Sequence, residues 1–198
     1  MLGSKYITSF EPKTVNANNA ISDIHLEYTC LLGEYMIDEN GNIEVYSDGV
    51  SSTAFIYATL DADYYILSRT YNKAWSNKVV DGENVYYIEN ASDLNQYHID
   101  GYENTKALNK LYGNNAIATM EAASVDVLSS MLEWYLPSYD ELETISYSNK
   151  LNYLLSGKNL WTSNLKDDRN AWVYSNNNAI EGNRLDEKNI IIFGRRKL

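Results

Sequence analysis

One proline sets the punctuation of the second half of this chain. It lies in Trp134-Tyr135-Leu136-Pro137-Ser138-Tyr139-Asp140-Glu141-Leu142, and the only other proline is Pro12. A prolyl ring disfavours the α conformation in the residue before it, so any helix upstream has ended by Leu136. Ser138 is then placed to cap a new helix, and Glu141 stands three residues on, the spacing of a capping box. Asp140 and Glu141 complement the positive end of that helix. Leu142 and Ile145 begin an apolar face at i, i+3 spacing, and the helix is expected to run to about Ser146.

Other elements follow from local pattern. Tyr35-Met36-Ile37 and Ile43-Glu44-Val45-Tyr46 flank Asn40-Gly41-Asn42, and Asn-Gly is a strong hairpin signal. The loop from Asp38 is not an EF-hand, because Gly41 stands fourth and that loop needs its glycine sixth. Thr53–Leu60 and Tyr64–Arg69 read as strands. Trp75, in a loop spanning residues 72–84, is expected to plug the core, and Val85–Glu89 reads as a short strand. Asn104–Tyr112 is helical, with Gly113 placed to close it. Ala116–Trp134 reads as a longer helix, with Ile117, Met120, Ala123, Val127, Met131 and Trp134 on one face. Beyond it, Leu160–Ser163, Ala171–Ser175 and Ile190–Phe193 are strand-like and alternate with polar loops.

The charge balance removes several functions. A net charge of −11 and a pI near 4.6 argue against contact with nucleic acid, which needs clustered Lys and Arg, and against an anionic membrane surface. The single cysteine, Cys30, allows no disulfide within the chain and no cysteine cluster for zinc. The two histidines, His25 and His98, sit in no triad or metal motif. The carboxylate pairs Asp140–Glu141 and Asp167–Asp168 are sequence neighbours, whereas a glycosidase needs carboxyls facing each other across a sugar. No catalytic, cofactor-binding or metal-binding residue is expected, and no cofactor.

The motifs also carry a resemblance. Trp134-Tyr135-Leu136-Pro137-Ser138 with Glu141-Leu142 looks like the "W-Y-L-P-S-x-x-E-L" turn of a family of C-type-lectin-like domains, typified by the C-terminal domain of the collagen-like adhesin of Legionella. Asp100-Gly101 with Asn104-Thr105 resembles that family's "D-G-x-x-N-T" helix start. Trp161-Thr162-Ser163 resembles its "W-S-S", and Ala171-Trp172 its "A-W". Gly33-Glu34-Tyr35 and Ala54-Phe55-Ile56-Tyr57 look like its opening hairpin and second strand. The resemblance covers roughly residues 32–198. It implies an α+β, C-type-lectin-like fold with mixed, mostly antiparallel sheets and two or three helices, in which the last strand pairs with one near the start. Asn189–Phe193 would take that closing role. The Glu-Pro-Asn and Gln-Pro-Asp signatures of calcium-dependent sugar-binding lectins are absent. The related formylglycine-generating enzymes use cysteine chemistry, which a lone Cys30 does not match.

Two parts are therefore expected: an N-terminal attachment arm over residues 1–31 and the lectin-like domain over residues 32–198. The arm's strand-like pieces, Lys5–Phe10 and Ile24–Thr29, either join a larger assembly or add an edge strand to their own domain. The binding surface is expected between residues 161 and 188, from Trp172, Tyr174, Asn164, Asp167, Asp168, Arg169, Asn176, Asn178 and Arg184, with Asn177 in a turn. Aromatic faces with amides and charges suit sugars and polar protein epitopes alike. Residues 1–12 hold no apolar core of signal-peptide length, and no stretch approaches the ~20 apolar residues of a membrane span. A virion component is released by lysis and needs no export signal. The expectation is thus a non-enzymatic phage structural protein: a head fibre, decoration or tail-associated protein. It would bind other virion proteins through the arm and a glycan or protein ligand on the host surface, as a homo-oligomer without nucleic acid or membrane insertion. A bacterial cell-surface adhesin of the same fold is the alternative, and a carbohydrate-active enzyme a more distant one.

Overall fold

The computed structural model describes residues 15–16, 35–38, 40, 42–47, 52–58, 63–77, 87–94, 100–130, 132–149 and 151–197. In chain order they form β1 (Val15–Asn16), β2 (Tyr35–Ile37), β3 (Asn42–Val45), β4 (Ala54–Ala58) and β5 (Asp63–Ala74). Then come α1 (Gly101–Tyr112), α2 (Ile117–Ala123), β6 (Leu132–Tyr135) and α3 (Tyr139–Ser146). The last strands are β7 (Asn159–Leu165), β8 (Asn170–Ser175), β9 (Asn178–Asn183) and β10 (Glu187–Arg196). The protein is α+β, with a mostly antiparallel sheet and three α-helices among the described residues.

The sheet runs β1-β3-β2-β4-β5-β10-β7-β8-β9, with β6 also paired to β10. β10 lies antiparallel to β5 and β6 and parallel to β7. A strand flanked in this way is buried on both faces and reads as an unbroken apolar run. Ile190, Ile191, Ile192 and Phe193 are that run, and none is exposed. Their alternation divides the core. Ile190 and Ile192 pack with Trp75, Trp161, Leu132 and Trp134 and with Leu108, Tyr112, Ala118 and Ala122 of α1 and α2. Ile191 and Phe193 pack with Tyr135, Trp172 and Tyr174, with Tyr139, Leu142 and Ile145 of α3, and with Leu151, Leu154 and Leu155. Each aliphatic side chain buried in this way stabilises the fold by about 1.5–3 kcal/mol.

Local expectations hold at the hairpin, where β2 and β3 pair antiparallel. Asp38 holds its turn: its Oδ1 accepts the Asn42 N–H at 2.7 Å and the Asn40 N–H at 2.9 Å. The Asn42 backbone bond, joined by those from the two asparagine side chains, keeps this carboxyl below its ordinary range. Trp75 is a core residue, as its size suggested. β5 runs on to Ala74, past the expected end at Arg69. Of the short strand expected over Val85–Glu89, Tyr87 makes an isolated bridge to Leu165, and Val85 and Tyr86 lie outside the described residues.

Two expectations are corrected. The helix expected over Ala116–Trp134 stops at Ala123, and Leu132–Tyr135 is a strand. Leu128 takes a φ of 52° in the intervening turn, a left-handed geometry no helix accommodates. The apolar spacing of Val127 and Trp134 serves the turn instead, for the Trp134 indole donates to the Val127 carbonyl at 2.5 Å. The second correction concerns β10, which occupies the middle of the sheet next to β5 instead of closing on a strand near the start. Of the expected arm, Val15 and Asn16 pair with Ile43 and Asn42 of β3. Lys5–Phe10, Ile24–Thr29, Cys30 and His98 lie outside the described residues.

Candidate functional site

The sequence motifs meet in space. Ser138 Oγ accepts the Glu141 N–H at 3.3 Å, and Glu141 Oε2 accepts the Ser138 N–H at 2.7 Å, which completes the capping box. The Tyr135 hydroxyl donates to Glu141 Oε1 at 3.0 Å. The start of α1 closes over this carboxylate: a Cβ on Gly101 would stand 2.4 Å from Glu141 Oε2 and 2.6 Å from the Ser138 nitrogen. Only glycine permits so close an approach. Thr105 Oγ1 accepts the Leu136 N–H at 3.0 Å, and Asn104 Nδ2 donates to Ser163 Oγ at 3.1 Å. Ser163 N–H donates to the Pro137 carbonyl at 2.8 Å. Desolvation drives the Glu141 carboxyl up to about 7; the Ser138 and Tyr135 hydrogen bonds oppose that shift, and the Asp100 charge adds to it.

All four tryptophans belong to the same framework. Each indole N–H donates to a backbone carbonyl: Trp75 to Thr162, Trp134 to Val127, Trp161 to Lys73 and Trp172 to Ile88. A buried Trp needs such a partner. The motifs therefore build the scaffold.

Four of the expected binding residues are part of this scaffold. Trp172, Tyr174 and Asn164 are buried, and Arg184 is 0% exposed. Asn164 Oδ1 accepts the Tyr139 N–H at 2.7 Å, at the start of α3. Arg184 donates to the Asp168 carbonyl, and its guanidinium lies 5.4 Å from the centre of the Trp75 ring. Asp167, half-buried, accepts the Arg169 and Asn170 N–H groups at 2.7 and 2.8 Å. Against the desolvation that would raise it, bonds from the Asn170 side chain and these backbone groups hold its carboxyl below the ordinary range. Asp168 and Arg169 are exposed, and Asp168 Oδ1 accepts the Tyr87 hydroxyl at 2.5 Å. Burial, then that bond, pushes the Tyr87 hydroxyl well above its ordinary value.

The remaining residues, Asn176 and Asn178, are exposed at the other end of β8. The six residues of β8 put roughly 17 Å between the two groups, at about 3.3 Å per residue. The structure thus brings Asp167, Asp168, Arg169 and Arg184 together at the β7–β8 turn. Tyr174, Asn176 and Asn178 gather at the β8–β9 turn.

Of the second group, Tyr174 and Asn176 border a groove of about 400 Å³. The β8–β9 hairpin contributes Tyr174, Asn176 and Asn177; the end of α3 and the turns after it contribute Ser146, Asn152, Tyr153, Leu155 and Ser156. Asn176 and Asn177, at φ 47° and 64°, form the two-residue turn that joins Ser175 to its partner Asn178, a geometry that asparagine tolerates. The Tyr174 ring is buried, and its hydroxyl donates to Asn177 Oδ1. Tyr153 sets its ring edge-on to Phe55 at 6.4 Å and keeps 48% of its surface exposed. Tyr147, next after Ser146, is 76% exposed. Burial, with Glu143, Tyr174 and Tyr147 nearby, pushes the Tyr139 hydroxyl behind the groove up to about 12.

Ser146, Asn152, Tyr153, Leu155 and Ser156 were missed from the sequence. A signal existed: Tyr147-Ser148-Asn149 and Asn152-Tyr153 repeat the texture of Tyr174-Ser175-Asn176-Asn177.

Among the described residues no group of three or more His, Cys, Asp or Glu side chains is placed to hold a metal ion, and no helix is long and apolar enough to cross a membrane. Comparison of the chain with protein-family models, curated proteins and solved structures finds no match.

Proposed function

We propose that this chain is a non-enzymatic binding protein with the C-type-lectin-like fold, displayed on a phage particle as a head-fibre, decoration or tail-associated protein. The observation that carries the reading is the division between scaffold and surface. Asp100-Gly101, Asn104-Thr105, the Leu136–Glu141 turn and Trp161–Ser163 spend polar groups on one another and on the Trp172 carbonyl, while the Tyr- and Asn-rich groove stays open. A rigid frame carrying adaptable Tyr, Ser and Asn groups is the design of a recognition surface. The meeting of the motifs in space supports the lectin-like fold. The carboxylates support a non-enzymatic role, because Asp167 is committed to its turn and Glu141 is enclosed behind Gly101. On this reading residues 1–31 attach the domain to other virion proteins, and several copies multiply a weak contact with the host surface.

The test is location. An antibody to the protein is used to probe density-purified virions and the host envelope from the source culture. Signal on particles supports the assignment, and labelled electron microscopy then distinguishes head from tail. Signal confined to the envelope overturns it in favour of a bacterial adhesin of the same fold. Soluble cytosolic protein overturns both.

A further inference from the structure

We infer that the groove between the 146–156 segment and the β8–β9 turn is a saccharide subsite that takes an uncharged sugar unit. The inference rests on the binding-protein reading above and specifies its ligand. Its volume, about 400 Å³, falls within the roughly 300–1,000 Å³ of small-ligand sites. The chemistry of the lining narrows the class. Asn152, Asn176 and Asn177 each present an amide, with a donor and an acceptor side by side. That pairing matches vicinal hydroxyls on a pyranose, each of which is also donor and acceptor. Because Asn177 Oδ1 takes the Tyr174 hydroxyl, its Nδ2 is left to donate to a ligand. Tyr153 adds a half-exposed ring, a flat apolar platform for the C–H face of a sugar. Leu155 is the only aliphatic side chain in the lining, so an apolar peptide anchor would find little to fill.

Charge narrows the class further. No lining residue is charged. Lys158, the first cation after Ser156 in the chain, is tied to the Leu154 carbonyl at 2.8 Å. Glu143 acts electrostatically on the Tyr174 hydroxyl, and the whole chain carries −11. A sialic acid, uronic acid or phosphate would lose water here without gaining a counter-charge from the described lining. A neutral hexose or N-acetylhexosamine meets no such cost. The groove is also set in advance: the turn is locked in left-handed geometry and pinned to Tyr174, so less ordering is needed on binding.

The experiment titrates the full chain with lactose, maltotriose and diacetylchitobiose, and in parallel with sialyllactose and trigalacturonic acid. Binding is followed by isotope-edited NMR shifts. Asn176→Gly removes an amide while keeping the turn, since glycine accepts the φ of 47°; Tyr153→Ala removes the platform. The expected result is that at least one neutral saccharide shifts the groove residues, that each variant weakens it tenfold or more at unchanged Tm, and that the charged sugars bind at least tenfold more weakly. Equal or tighter binding of the charged sugars overturns the inference. Neutral binding that ignores both variants overturns it too, and leaves the binding-protein reading standing. If no saccharide of either kind binds, the inference fails. Adherence of labelled protein to host cells then decides separately whether the broader reading fails with it.

Discussion

Glu141 makes the stability of this protein fall as pH rises through neutrality. Its carboxylate is enclosed by Gly101, Ser138 and Tyr135, although the residue as a whole keeps some surface. Desolvation, the leading cause, favours the protonated form, and the carboxyl titrates at about 7 in the fold against 4.5 in an open chain. A raised carboxyl means that the folded state binds more protons than the unfolded state between those two values. Its contribution is therefore fully present below about pH 4.5 and is lost as pH rises through about 7. At about 1.4 kcal/mol per tenfold change in proton affinity, the loss comes to about 3 kcal/mol. Glu141→Gln is the perturbation. Glutamine suits the third position of a capping box and still accepts the Ser138 N–H, but it does not titrate. Urea unfolding at pH 5 and pH 8, at one ionic strength, gives the midpoints, and their differences convert to free energy through m. Part of that loss has already occurred at pH 5, so the parent should lose about 2–3 kcal/mol more than the variant between the two pH values. Comparing the two chains cancels the general self-repulsion of a molecule carrying −11. Identical pH slopes would refute the reasoning, and would mean that the Ser138 and Tyr135 hydrogen bonds outweigh desolvation and keep Glu141 ionised.

Four further outcomes are expected. Gly101→Ala places a Cβ 2.4 Å from the Glu141 carboxylate and 2.6 Å from the Ser138 nitrogen, and should destabilise by about 1–3 kcal/mol despite alanine's better helix propensity, as read from urea midpoints. Trp172→Ala should cost about 3–5 kcal/mol, because the indole is buried and donates to Ile88. Arg169→Ala, on the exposed β7–β8 turn, should stay within about 0.5 kcal/mol in the same assay. Asn164→Ala leaves the Tyr139 N–H without its acceptor and should cost about 1–3 kcal/mol, a lowered Tm being the readout.

What the sequence disclosed follows the range of the forces involved. The capping box of α3 was legible because every group in it lies within three residues of Ser138. The hairpin turn at Asp38 and the helix ending at Tyr112 are local in the same sense. β6 was not legible. Leu132-Glu133-Trp134 alternates over too few residues to outweigh a helical spacing that began at Ile117, and its pairing partner lies some sixty residues on, in β10. The site was legible by residue type and not by place. Tyr174 and Asn176 were singled out by residue type, and both line the groove. Yet a pattern cannot say that β8 would separate Asp168 from Asn176, or that Arg184 would turn inward over Trp75. The other wall of the groove comes from residues 146–156, brought there only by the packing of Leu151, Leu154 and Leu155 against the sheet.

The central position of β10 governs how this protein is made. β5 and β7 are translated before residues 187–196, yet each waits for that strand as its neighbour. Until that strand is made, β5 and β7 each lack the neighbour that covers one edge, and an uncovered edge is of the kind that recruits other chains. A product terminated early thus lacks a keystone as well as a tail, and is exposed to aggregation and proteolysis.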